Sequence, residues 1–104
     1  LSEGVIVGNV WEVLDFETFY GNVAKSREIH EKHGGLVRSW NIIGGRYSGC
    51  MQYNVSFASL SAWGKFMEDV REDQNAFYQE VMAQGKISAN SMNQVVLDNP
   101  VMVK

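Results

Sequence analysis

The chain has little with which to cross-link or stiffen itself: one cysteine, Cys50, and one proline, Pro100, in 104 residues. A lone cysteine excludes an intrachain disulfide framework, cannot form a thiolate cluster for a structural zinc, and suits a reducing cytoplasm. Long hydrophobic runs are missing too: no stretch approaches the roughly 18 apolar residues that a membrane span requires. Leu1 to Gly4 carries neither the basic nor the apolar region of a signal peptide, so a cytoplasmic location is expected. Charge of one sign is scarce. Nine Lys and Arg stand scattered against twelve Asp and Glu, for a net charge of -3, which lacks the basic footprint of a nucleic-acid binder. No Gly-rich phosphate loop, Ser-His-Asp order or His-x-His spacing occurs, so neither a nucleotide cofactor nor a metal is expected.

What the chain has in quantity is soft apolar bulk. Aromatic residues make up 12 %, as three Trp, four Tyr and five Phe, with five Met beside them. The length predicts a single domain over residues 1–104, and the order of its elements can be read from the periods. Val5 to Leu14 is rich in Val and reads as a strand stopping at Asp15, a good helix N-cap. Phe16, Phe19, Tyr20, Val23, Arg27 and His30 then recur at helical spacing to about His33, where Gly34-Gly35 supplies the stop. Leu36 to Ile43 reads as a second strand, Gly44-Gly45-Arg46 as a tight turn, and Tyr47 to Phe57 as a third strand paired with it. Ser59 or Ser61 caps a second helix running from Leu60 to Gly85, with a bend in the charged stretch Glu68 to Asp73. Ile87 to Leu97 is a fourth strand, closed by Pro100 and followed by a short tail. The order strand, helix, strand, strand, helix, strand is α+β and ferredoxin-like: a four-stranded antiparallel sheet with two helices on one face.

The first strand makes a demand that this arrangement does not meet. Val5, Val7, Asn9, Trp11 and Val13 form one row and Ile6, Gly8, Val10, Glu12 and Leu14 the other, and both rows are mostly apolar. A sheet face in water alternates with polar residues, whereas two helices cover only one face. A homodimer with sheet packed on sheet is therefore expected, with the aromatic excess around Trp11 part of what the second subunit covers. The competing reading is a monomer with an unusually apolar strand.

At this point the chain resembles the dimeric α/β-barrel superfamily, which includes antibiotic-biosynthesis monooxygenase-like and NIPSNAP-like domains. The resemblance runs from about Val5 to Leu97. Its most specific stretch is Met51 to Trp63, MQYNVSFASLSAW, a strand ending in an aromatic that passes through a Ser-rich turn into a Trp-bearing helix. The resemblance implies sheets packed together in a dimeric α/β barrel. It also implies activities of the family's range: cofactor-independent monooxygenases, isomerases, decarboxylases and heme-degrading enzymes. In the heme-degrading branch an Asn on the first strand, a Trp and a His on the second helix form the functional set. Asn9 and Trp63 match the first two, but both histidines here, His30 and His33, fall on the first helix, so heme is disfavoured and no cofactor is expected.

Candidate site residues follow, each with a plainer reading beside it. His30 lies on the sheet-facing stripe of helix one, where a near-neutral pKa suits a general base; the plainer reading is an amphipathic helix edge. His33 is explained by the helix dipole. Asn9 and Asn54, if they share a space, offer neutral donors and acceptors for a ligand carbonyl or hydroxyl; otherwise they pair with each other or with water in a dimer interface. Trp11, Tyr20, Trp40, Trp63, Phe66, Met67 and Phe77 are either core or the wall of an apolar cavity between sheet and helices. Arg38 and Arg46 flank the hairpin, either as solvated surface or as anchors for a ligand carboxylate, and Cys50 reads as an inert strand residue. The function expected is that of a dimeric protein binding a fatty-acid-like, polyketide-like or aromatic molecule, either as a binding protein or, as the resemblance implies, as a monooxygenase-like or isomerase-like enzyme in which Asn9 and Asn54 hold a carbonyl and His30, Tyr20 or Trp63 assists proton or oxygen chemistry. A structural module without a ligand is the alternative.

Overall fold

The computed structural model describes residues 4–98, so Pro100 and the tail after it lie outside the described residues. Seven elements follow one another: β1 (Val5–Val13), α1 (Phe16–Lys32), β2 (Leu36–Asn41), β3 (Met51–Phe57), α2 (Leu60–Asp69), α3 (Arg71–Ala83) and β4 (Ala89–Asp98). The strands form one antiparallel sheet in the order β2-β3-β1-β4. This is an α+β fold with an open sheet, compatible with the ferredoxin-like arrangement.

Local chemistry sets the boundaries. Asp15, in extended backbone, accepts a hydrogen bond from the Thr18 amide and caps α1; Ser59 does the same for α2 through the Ala62 amide. Gly34, at φ 92°, ends α1 in the left-handed conformation that glycine adopts most readily.

The helical segment after β3 divides within Glu68 to Asp73, where a bend is expected: α2 and α3 meet at Val70, which is drawn into the core and is 1 % exposed. The Val70 amide donates to the Phe66 carbonyl, and the Val70 carbonyl accepts from the Gln74 amide. One connection differs from the sequence expectation. Between β2 and β3 there is no tight turn at Gly44-Gly45. Ladder pairing runs from Leu36 opposite Ser56 to Asn41 opposite Met51, and residues 42–50 form a loop with left-handed Gly45 and Gly49.

The registers decide which rows face the helices. Val5, Val7, Asn9 and Trp11 stand opposite Phe57, Val55, Tyr53 and Met51 on β3. The β3 members of this set are all buried, and Tyr53, Val55 and Phe57 form the core with Val37, Phe66 and Val70. The other row, Ile6, Gly8 and Val10, shares the open face with Ser56, Asn54 and Gln52. Trp11 therefore lies on the helix side, its ring 6.0 Å from that of Phe19, and not on the face left open as its strand's composition suggested. The exposed tryptophan of the open face is Trp40 on β2, opposite Gln52.

Candidate functional site

The helix side of the sheet is not filled. β3 and β2 carry α1 and α2 tightly, whereas α3 buries none of its side chains and stands off from β1 and β4. The gap is a cavity of about 860 Å³, within the size range of small-molecule sites. Its floor is the row Val7, Asn9 and Trp11 of β1 with Ser91 and Gln94 of β4. Val23, Ile29 and His30 of α1 and Trp63, Phe66 and Met67 of α2 form one wall; Phe77, Tyr78 and Val81 of α3 form the other. Met82 and Ile87, both largely exposed, mark the mouth.

Of the residues singled out from the sequence, Asn9, Trp11, His30, Trp63, Phe66, Met67 and Phe77 all line this cavity. Three do not, Trp40 of the open face among them. Asn54 lies on the opposite face of the sheet from Asn9, since Asn54 pairs with Gly8 and Asn9 with Tyr53, and neighbours on a strand point to opposite sides. Its carboxamide instead accepts a 2.7 Å hydrogen bond from Gln52 Nε2 above Gly8, where a Cβ would come within 2.9 Å of Asn54 Oδ1. Tyr20 is exposed at the outer edge of α1, beside Phe16 and Phe19, with its hydroxyl 3.5 Å from Asn41 Oδ1. The arginines are also elsewhere: Arg38 is exposed on the open face, and Arg46 sits 5.5 Å over the Tyr47 ring in the β2–β3 loop.

The polar centre of the cavity is His30. Its ring stacks on Phe66, with centroids 5.4 Å apart at 15°, and Nδ1 lies 2.7 Å from the Ser26 carbonyl oxygen. A carbonyl only accepts, so Nδ1 carries the proton and the neutral ring exposes a lone pair at Nε2. The Tyr53 hydroxyl, 3.0 Å from Nδ1, and Ser26 Oγ, 3.2 Å from it, turn acceptor lone pairs to that proton and share a 3.1 Å hydrogen bond with each other. Burial lowers the His30 pKa below its ordinary 6.5, against the opposing effect of the Ser26 carbonyl. Burial also pushes the Tyr53 hydroxyl up to about 12, so it stays protonated. Nε2 has no hydrogen-bond partner among the described residues.

Ser26 and Tyr53 were not among the candidates drawn from the sequence. Ser26 is one helical turn before His30, a spacing that puts the two side chains on one face, but Tyr53 needed knowledge of which β3 row turns inward. His33 serves another end: its Nε2 is 2.7 Å from Asp73 Oδ2, joining α1 to α3, and Lys32 bonds the same oxygen at 3.0 Å. Among the described residues no cluster of His, Cys, Asp and Glu could hold a metal ion, and no helix is long and apolar enough to cross a membrane.

No family model matches the chain, and no curated protein sequence does.

Proposed function

We propose that the protein is a homodimer that binds an apolar small molecule between its sheet and helices. The observation that carries this reading is the cavity of about 860 Å³, walled by rings and thioethers, with a few neutral polar groups set into it. That combination of apolar wall and sparse fixed polar groups is the usual anatomy of a small-molecule site. Chemistry on the bound molecule is part of the reading: Asn9 on the floor offers an amide to a carbonyl, and His30 Nε2 is a neutral base within the same space. These are the requirements of an isomerase, or of a cofactor-independent monooxygenase in which a base first ionises the substrate.

The dimer is supported by the open face, where Leu36 and Trp40 on one edge strand and Val95 and Leu97 on the other are each between 43 % and 50 % exposed. Apolar exposure at both edges of one sheet face points to an interaction surface.

The test is binding of the neutral apolar dye Nile red, followed by fluorescence, together with native mass spectrometry of the purified protein. Dye binding that is lost in a Val81→Trp variant, which fills the cavity from α3, supports the reading. A dimer that takes up no dye and carries no small molecule would instead be a structural module.

A further inference from the structure

Beyond being apolar, the ligand has a polarity of its own that the cavity selects. Among the described lining residues there is no carboxylate, and the one ammonium, Lys86, is bonded to the Asp15 carboxylate. Neither Arg38 nor Arg46 lines the space. An anionic ligand would therefore lose its hydration without meeting a free cation, a cost that ordinary pairing would have to offset. At the centre, the 2.7 Å approach of His30 Nδ1 to the Ser26 carbonyl commits the ring proton to the protein side, and the Tyr53 hydroxyl closes that side of the ring. The free nitrogen is then an acceptor. A ligand carboxylate presents only acceptors to it, and an ether or ketone likewise; a hydroxyl presents a donor.

We infer that the cavity is built for an uncharged ligand carrying a hydroxyl, most favourably an enol or phenol, which donates its proton to His30 Nε2, and that carboxylates such as fatty acids are discriminated against. This rests on the cavity reading above and narrows it, removing the fatty-acid-like class from the molecules the sequence left open. Ser26 and Tyr53 are positioning residues here: they touch His30 and fix which nitrogen the ligand meets.

Three probes of one shape separate the chemistry: 2-naphthol, 2-methoxynaphthalene and 2-naphthoate, each titrated against Nile red on the full chain. One net hydrogen bond is worth several-fold to about tenfold in affinity, so 2-naphthol should displace the dye at a concentration lower than 2-methoxynaphthalene by that factor. 2-Naphthoate should be the weakest of the three. In His30→Phe the naphthol and its methyl ether should become equal. Independently of any variant, ¹⁵N spectra of the native protein should show the His30 ring protonated at Nδ1, with an unprotonated Nε2 whose resonance moves when 2-naphthol is added. Equal displacement by all three probes, preference for the naphthoate, or a proton found on Nε2 overturns the inference while leaving the cavity reading standing. Failure of Nile red itself to bind removes the cavity reading and this inference with it.

Discussion

At His30 a short contact to the Ser26 carbonyl sets a chemical role, and burial sets a stability signature. Because burial lowers the pKa of this imidazole below 6.5, the unfolded chain takes up its proton at a higher pH than the folded one does. Its contribution to stability is complete above pH 6.5 and diminishes as pH falls below that value toward the folded pKa. The other charged or titratable groups close to this part of α1 are Arg27, Glu31, His33 and, from β3, Tyr53, which stays protonated throughout. Urea melts between pH 7.5 and 5 should therefore show a loss of stability that is reduced in His30→Gln. The carboxylates of Asp15 and Asp73, held below their ordinary 3.8 by hydrogen bonds from Lys86 and His33 respectively, act in a separate window: their contribution persists above pH 3.8 and is lost as pH falls through their lower folded values. A second residue with an outsized role is Gly35, where an added Cβ would lie 2.6 Å from Val55 Cγ1 and 3.1 Å from the His30 carbonyl oxygen. Neither neighbour is a free side-chain end, since Val55 is 3 % exposed and the carbonyl belongs to α1. Gly35→Ala should cost about 1–3 kcal/mol of unfolding free energy, as overpacking of a core does, measured by urea denaturation at pH 7.5.

Among the elements, α3 is held differently from the rest. It has no buried side chain, and its links to α1 are the Lys25–Glu80 and Lys32–Asp73 ion pairs, the His33–Asp73 hydrogen bond and, just past its end, the reciprocal amide bonds of Asn22 with Gln84. Exposed ion pairs contribute about 0–1 kcal/mol each, so α3 is the element with the least free energy of local opening. Backbone amides of α3 should exchange with solvent at least tenfold faster than those of β3. Asp73→Asn should widen that gap, and Nile red in the cavity should narrow it; equal protection of α3 and β3 would contradict this account. Much at this scale was legible in the sequence: period changes at Asp15 and Ser59 located both caps, and the order of strands and helices followed. The division between α2 and α3 was legible as well, since Val70 lies within the charged stretch Glu68 to Asp73 where a bend is expected. The side of the sheet on which Asn54 lies was not, because alternation separates the two rows of β3 without saying which one the helices cover. Tyr53, in the apolar row, therefore belonged to the site while Asn54 did not.

At the scale of the whole molecule, one sheet face is left uncovered by the described residues, and its composition argues for what covers it. Apolar side chains stand at both edges, Leu36 and Trp40 on β2 and Val95 and Leu97 on β4, while the centre carries the Gln52–Asn54 amide pair seated over Gly8. A two-fold axis lying parallel to such a face, in the plane of the interface, sets the face against its own copy. It joins apolar edges and brings the amide pairs of the two subunits together, so that the amide groups left over from the Gln52–Asn54 bond can pair across the interface. The native protein should therefore sediment at twice 11.7 kDa at micromolar concentration, and the double variant Leu36→Lys, Trp40→Glu should sediment as a monomer. Gly8 supplies a gentler probe of the same surface. A Cβ there would lie 2.9 Å from Asn54 Oδ1 and 3.1 Å from Gln52 Nε2, both movable side-chain ends, so Gly8→Ala pushes the amide pair outward without distorting the core. It should weaken dimerisation several-fold while the urea midpoint of the dissociated chain barely changes, the opposite of what Gly35→Ala does on the other side of the sheet. A native chain that remains monomeric at micromolar concentration would leave the apolar edges without the partner argued here.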